Sequence, residues 1–238
     1  MAMITDSQRD PLGAGLKTYM EGERQGILYV TSDVAVDDFI PVRYLFRGPE
    51  EMPDWEIMAL HECKGKVLDI GAGAGSHSLV LIDQDIECHS MDISLGAYQV
   101  MQERGLPYPI HGNIFDYQEQ TFDTLLLMMN GIGLVGDLMG LNQFLQHAKT
   151  LLAPGGQILL DSSDLSYLYE DGTVEKPVDR YEGIIQYQMS FRDIFGDPFY
   201  WLYLDYGKLA KQARYWGYTP ELILEGPHYE YLARLTLS

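Results

Sequence analysis

The chain has 238 residues, enough for one large α/β domain with a full core. Its 35 acidic residues against 16 basic ones give a formal net charge of −19. That balance repels a phosphate backbone and argues against a nucleic-acid partner, while no apolar run reaches the ~20 residues of a membrane span.

Residues 1–48 read as a leader or lid with scattered aromatics, Tyr19, Tyr29, Phe39, Tyr44 and Phe46. The first ten residues carry no basic stretch followed by an apolar one, so no secretory signal is expected. A helix is predicted from Pro53, with Asp54 and Glu56 at the positive end of its dipole, and Lys64-Gly65 ends it. Lys66 to Ile70 reads as a buried strand, followed by a glycine loop and a helix over Ser76 to Ile82. Ile86 to Met91 is a second strand, Ser94 caps a helix that stops at Gly105, and a short third strand runs into Ile110-His111. Phe122 to Met128 is a continuous apolar run, the pattern of a central parallel strand covered on both faces. Asp137 caps a helix with Leu138, Leu141, Phe144, Leu145, Ala148 and Leu152 on one stripe, and the next strand is Gln157 to Asp161. Beyond Asp164 the period changes to two: Ile185, Tyr187, Met189 and Phe191 alternate with polar residues. A turn at Gly196-Asp197-Pro198 then leads to a second extended run from Phe199 to Leu204. A helix through Leu209, Ala210, Ala213 and Trp216 follows, then strands over Leu222 to Leu224 and Tyr229 to Leu237.

Strands alternating with helices predict a doubly wound, mostly parallel seven-stranded sheet with helices on both faces and an antiparallel last strand. Residues 1–238 are expected to form one domain, with 165–204 inserted as a β-hairpin cap over the substrate. Tyr187, Phe191, Phe199, Trp201 and Tyr203 are candidates for an aromatic lid, or for ordinary sheet packing. The two cysteines, Cys63 and Cys88, lack metal-ligand spacing and read as small buried hydrophobes. A cytoplasmic, reducing setting without a metal site is the expectation.

The densest chemical signal is Val67-Leu68-Asp69-Ile70-Gly71-Ala72-Gly73-Ala74-Gly75, leaving a strand and entering a helix. Glycines there permit either a tight turn with close ligand approach or close helix–strand packing. Asp69 opposes a pyrophosphate and suits the cationic amino group of a ligand like S-adenosylmethionine (SAM). Asp92, ending the second strand, is suited to accept two ribose hydroxyls, or to cap the next helix.

These residues, together with Leu151-Leu152-Ala153-Pro154-Gly155-Gly156-Gln157-Ile158-Leu159-Leu160, resemble the signature segments of class I SAM-dependent methyltransferases. The resemblance spans about Pro53 to Asp161, and Leu204 to Leu237 more loosely. It implies a cofactor site in which Asp69, Gly71, Ala72 and Gly73 line the methionine part of SAM and Asp92 the ribose. Ile93 would lie against the adenine, Asn113 face its amino group and Ile114 offer a backbone N–H. Met129 and Asn130 would border the amine and the transferring methyl. His77 is a cofactor neighbour or a candidate base; Asn113 and Asn130 are alternatively plain turn residues. After the strand over Phe122–Met128 the chain reads Asn130-Gly131-Ile132-Gly133. The Asn/Asp-Pro-Pro-Tyr/Phe of the family's amide- and base-modifying members does not occur there, which favours a small-molecule acceptor. Two other readings remain at this point: a nicotinamide-dependent oxidoreductase on a related fold, and a non-catalytic nucleoside-binding module.

Overall fold

In the computed structural model residue 4 and residues 6–34, 37–170, 172 and 174–238 are described. Of the start read for a secretory signal, residues 1–3 and 5 therefore lie outside the described residues. The leader, expected only as a loose lid, contains regular structure. The Asp10 carboxylate accepts the Gly13 N–H at 2.9 Å and caps helix α1 (Pro11–Met20), which has proline at its first position. Strands β1 (Ile27–Ser32) and β2 (Asp38–Pro41) pair antiparallel, Ile27 opposite Pro41. A short 3-10 turn over Val42–Phe46 follows.

Pro53 is the N-cap of α2 (Asp54–Glu62), one residue before the first helical position expected of it. Next come β3 (Val67–Ile70), α3 (Ser76–Asp83), β4 (Cys88–Asp92), α4 (Leu95–Glu103) and β5 (Tyr108–His111). Ser94 caps α4 by accepting the Ala97 N–H at 2.9 Å. After β6 (Phe122–Leu127), Asp137 caps α5 (Leu138–Leu151) through the Gly140 N–H at 2.7 Å. Leu141, Phe144, Leu145 and Ala148 of its apolar stripe are fully buried. The chain turns directly into β7 (Leu152–Ser163), so Pro154-Gly155-Gly156 lies inside the strand bounds rather than before them. The register there shifts between Phe122 and Thr124 to absorb the irregular residues. The inserted segment supplies β8 (Ile184–Phe191), β9 (Ile194–Phe195) and β10 (Phe199–Leu202); α6 (Tyr206–Tyr215), β11 (Tyr218–Glu225) and β12 (Glu230–Leu237) complete the chain.

Seven strands stand in the order β11-β12-β7-β6-β3-β4-β5. β4–β5 and β6–β7 pair parallel, whereas β12 runs antiparallel to both β7 and β11. This is the mostly parallel sheet with a reversed last strand that the sequence predicts. Leu125, Leu126 and Leu127 of β6 are fully buried, as an apolar run in a central strand requires. Pro220 is accommodated because β11 is the outermost strand, where a missing N–H breaks no ladder.

A second sheet has the order β10-β8-β1-β2, with β9 also on β8. The inserted strands are therefore not a free-standing hairpin: β8 is antiparallel to β1, with Tyr29 opposite Ser190. The reversal falls at Arg192-Asp193, where Arg192 is left-handed at φ 56°, and not at Gly196-Asp197-Pro198. The Gly196 N–H still bonds the Met189 carbonyl, which keeps the later segment on the ladder. Phe191 is no lid residue. It is buried with Leu16, Leu28 and Val42.

Contacts divide the chain into two compact units. The first comprises Met1–Met52, Leu68–Tyr117 and Gln186–Phe199, with Leu16, Leu28, Val42, Ala97, Val100 and Phe191 at its core. Within it α1 packs on α4 so tightly that a Cβ on Gly96 would lie 2.4 Å from the Gly13 Cα. Asp10, 2% exposed, also accepts from the Ser94 hydroxyl and the Gly96 N–H, tying the starts of both helices together. The second comprises Pro53–Val67, Gln118–Ile185 and Tyr200–Ser238, built around buried Phe122, Phe144, Ile158 and Leu235. Cys63 and Cys88 are both buried and are not joined in a disulfide. Among the described residues no helix is long and apolar enough to cross a membrane.

Candidate active site

Strand β3 is buried along its whole length and delivers the chain into the glycine loop of the first unit. The loop is held from below. The N–H groups of Gly71 and Ala72 both donate to the Met91 carbonyl at 2.9 Å, and the Gly75 N–H to the Ala72 carbonyl at 2.7 Å. Gly71 has φ +78° and Gly73 φ +56°, a region L side chains rarely enter. A Cβ built on either would meet nothing within 4 Å. Helix–strand packing therefore does not account for these two glycines, whereas Gly75 does pack, its Cβ position lying 2.5 Å from Leu106. Ala72 turns its methyl into a small core with Met101 and Leu106, so any ligand would meet its backbone.

Two carboxylates flank this open ground. Asp69 is 2% exposed and accepts the Ser78 hydroxyl at 2.6 Å; Ser78 in turn accepts from Ser90 at 2.7 Å. Burial raises the Asp69 pKa above its ordinary value, while the charge of His77 and the Ser78 hydrogen bonds pull it down. His77, the second residue of α3, is buried rather than exposed. Asp92 uses one oxygen for the Gly73 N–H at 2.9 Å and the other for the Ser94 N–H at 2.8 Å. It therefore serves the next helix as well as the loop, and a carboxylate keeps two further lone pairs for other donors. Burial pushes Asp92 up from 3.8 to about 6, with the two N–H groups opposing and the charges of Asp10 and Asp69 assisting. The serines were not singled out in the sequence, because an isolated serine carries no pattern.

Nearby in the same unit, the half-buried Ile93 offers its carbonyl to the Ile4 N–H at 2.9 Å and to His111 Nε2 at 3.0 Å. Asn113 forms a side-chain turn, its Oδ1 accepting the Phe115 N–H at 3.1 Å, and Ile114 is buried. The turn reading of Asn113 is thus realised.

In the second unit, Met129 and Asn130 are consecutive non-glycine residues in left-handed backbone, at φ 65° and 54°. Each such residue costs about 1–2 kcal/mol, a strain that concentrates at functional sites. The turn is pinned from three sides. Ser163 Oγ donates to Asn130 Oδ1 at 2.8 Å, the Gly131 N–H donates to Asp161 at 3.1 Å, and the Trp201 indole N–H donates to the Asn130 carbonyl at 3.0 Å. Asp161 is thereby placed beside this turn, while Asp164 caps a turn of its own through the Ser166 N–H at 2.9 Å.

The first unit thus brings together Asp69, Gly71, Ala72, Gly73, His77 and Asp92, and the second groups Met129 and Asn130 with Asp161 and Ser163. A protein-family profile described as a methyltransferase domain matches residues 68–160. The crystal structure of a SAM-dependent methyltransferase from Bacteroides fragilis, in complex with S-adenosyl-L-homocysteine (SAH), is 41% identical. It superimposes with a TM-score of 0.92 over 100% of this chain and 98% of its own. The CcbJ methyltransferase of Streptomyces caelestis shares the fold at 17% identity and a TM-score of 0.61, over 79% of this chain and 94% of that one. SAM-bound CalS10 from Micromonospora echinaspora, an amino pentose methyltransferase, does so at 14% and 0.57, over 78% and 92%. No curated protein matches in sequence.

Proposed function

Because the chain belongs to the class I SAM-dependent methyltransferases, we propose that it methylates a small molecule with the glycine loop, Asp69 and Asp92 holding the donor. The nicotinamide-dependent alternative loses its footing with that family membership. The observation that carries the residue assignment is the open space over Gly71 and Gly73, bounded by two buried carboxylates. A side chain there would fill the ligand's place, and the carboxylates welcome a cation and hydroxyls where a pyrophosphate would be repelled.

Bound SAM supplies a methyl already activated on a sulfonium, so the protein has chiefly to align the acceptor and exclude water. Asp69 would offset the charge of the methionine amine, and the Gly71, Ala72 and Gly73 backbone would run beside it. Asp92 would accept from the ribose hydroxyls with the lone pairs its two N–H donors leave. Ile93, Asn113 and Ile114 would meet the adenine, and in the second unit Met129 and Asn130 the methionine end. His77, buried at the start of α3, is the candidate to take up the acceptor's proton. The charge of −19 and the absence of the Pro-Pro signature after Asn130 support a small acceptor over a nucleic acid. Two buried thiols not joined in a disulfide fit a reducing cytoplasm.

Titration calorimetry with SAM and SAH should give saturable heat, and labelled SAM mixed with a metabolite extract should yield labelled product. A folded protein that takes up neither ligand at millimolar concentration would remove the proposal, and binding without turnover on any extract would favour a non-catalytic module.

Asp92 also makes the site pH-sensitive. Its raised folded-state value means that its contribution to stability is fully present below pH ~4 and lost as pH rises through about 6. Wild-type protein should therefore lose melting temperature relative to Asp92→Asn between those values. SAH affinity should move the opposite way, rising several-fold through pH ~6 as the carboxylate ionises, and stay flat in the variant.

A further inference from the structure

The inserted strand β10 reaches the Met129-Asn130 turn through the side chain of Trp201. Trp201 places its indole N–H 3.0 Å from the Asn130 carbonyl, which also accepts the Gly133 N–H at 2.9 Å. The indole lies flat against Gly133: a Cβ there would sit 1.9 Å from Trp201 Nε1. That contact admits only glycine at 133 and only a ring that can close on it. The residues it secures, Met129 and Asn130, are in left-handed backbone without being glycine, a conformation that persists only when its surroundings over-determine it. Ser163 and Asp161 hold the turn from β7. Trp201 holds it from the segment expected to cap the substrate.

We propose that Trp201 is a positioning residue: its N–H bond holds the Met129-Asn130 turn in the shape that receives the methionine end of SAM. This rests on the assignment of Met129 and Asn130 to the cofactor. Trp201→Phe keeps an aromatic ring on β10 and removes the donor together with part of the indole's volume. SAH affinity by calorimetry should fall roughly five- to tenfold, the worth of one buried hydrogen bond, and the Gly133 amide should exchange faster with solvent. In wild type, the Trp201 indole N–H resonance should shift when SAH is added. The substitution identifies that peak, and Trp55→Phe with Trp216→Phe identifies it by elimination if Trp201→Phe does not fold. A Trp201 that only packs would lower the melting temperature while leaving SAH affinity within twofold and the indole resonance unmoved; that result overturns the proposal. Wild-type protein that binds no SAH at all would instead remove the cofactor assignment, so the two failures are told apart.

Discussion

Gly73→Arg should abolish SAM and SAH binding, by more than about 100-fold, or roughly 2.7 kcal/mol, while the protein stays folded. The direction follows from what surrounds the residue. Its Cβ would meet nothing within 4 Å, so the new side chain grows outward into the ground over the loop and displaces no core atom. Its N–H remains free to donate to Asp92. The cost to the fold is the left-handed backbone at φ +56°, about 1–2 kcal/mol for an L residue. Calorimetry with SAH and circular dichroism on the same sample check both halves. A variant that binds normally would show that the open ground over the loop is not the donor site.

Gly96→Ala should destabilise the protein by about 2–4 kcal/mol by urea denaturation. The added Cβ would lie 2.4 Å from the Gly13 Cα and 2.8 Å from its carbonyl carbon. These are backbone atoms and have no rotamer to escape into, so α1 and α4 must separate. That separation would stretch the two bonds Asp10 accepts from Ser94 and Gly96. An unchanged midpoint would mean the helices tolerate a wider crossing.

The same pair explains why the leader was opaque in the sequence while the segment from Pro53 to Asp161 was not. Gly13 and Gly15 are poor helix formers, and in a ten-residue helix they erase the periodicity that reveals α5. Their reason for being there, Gly13 against Gly96 of α4 and Gly15 against Val42, Phe191 and Leu28, has no local trace. The strands β1 and β2 are hidden for a related cause: they are completed by β8, and half of their pattern is exposed Tyr29 and Phe39. By contrast, Asp69, the three alternating glycines and Asp92 stood out because strand, loop and capping chemistry coincide in one short stretch. Asn130 was legible as a turn residue or, through the resemblance, as a neighbour of the methyl, but the bond its carbonyl accepts from Trp201, in another part of the chain, left no trace.

The pairing of Tyr29 with Ser190 and of Ser32 with Tyr187 sets a schedule for synthesis. At ~5–20 residues per second, roughly ten to thirty seconds separate the emergence of β1 from that of its partner strand. Throughout that interval Leu28 and Val30, buried in the finished protein, lack their cover, and the ribosome holds a sticky, half-paired ribbon. Such a nascent chain is a natural client for holding chaperones, and closing so distant a loop makes the leader the last part of its unit to settle.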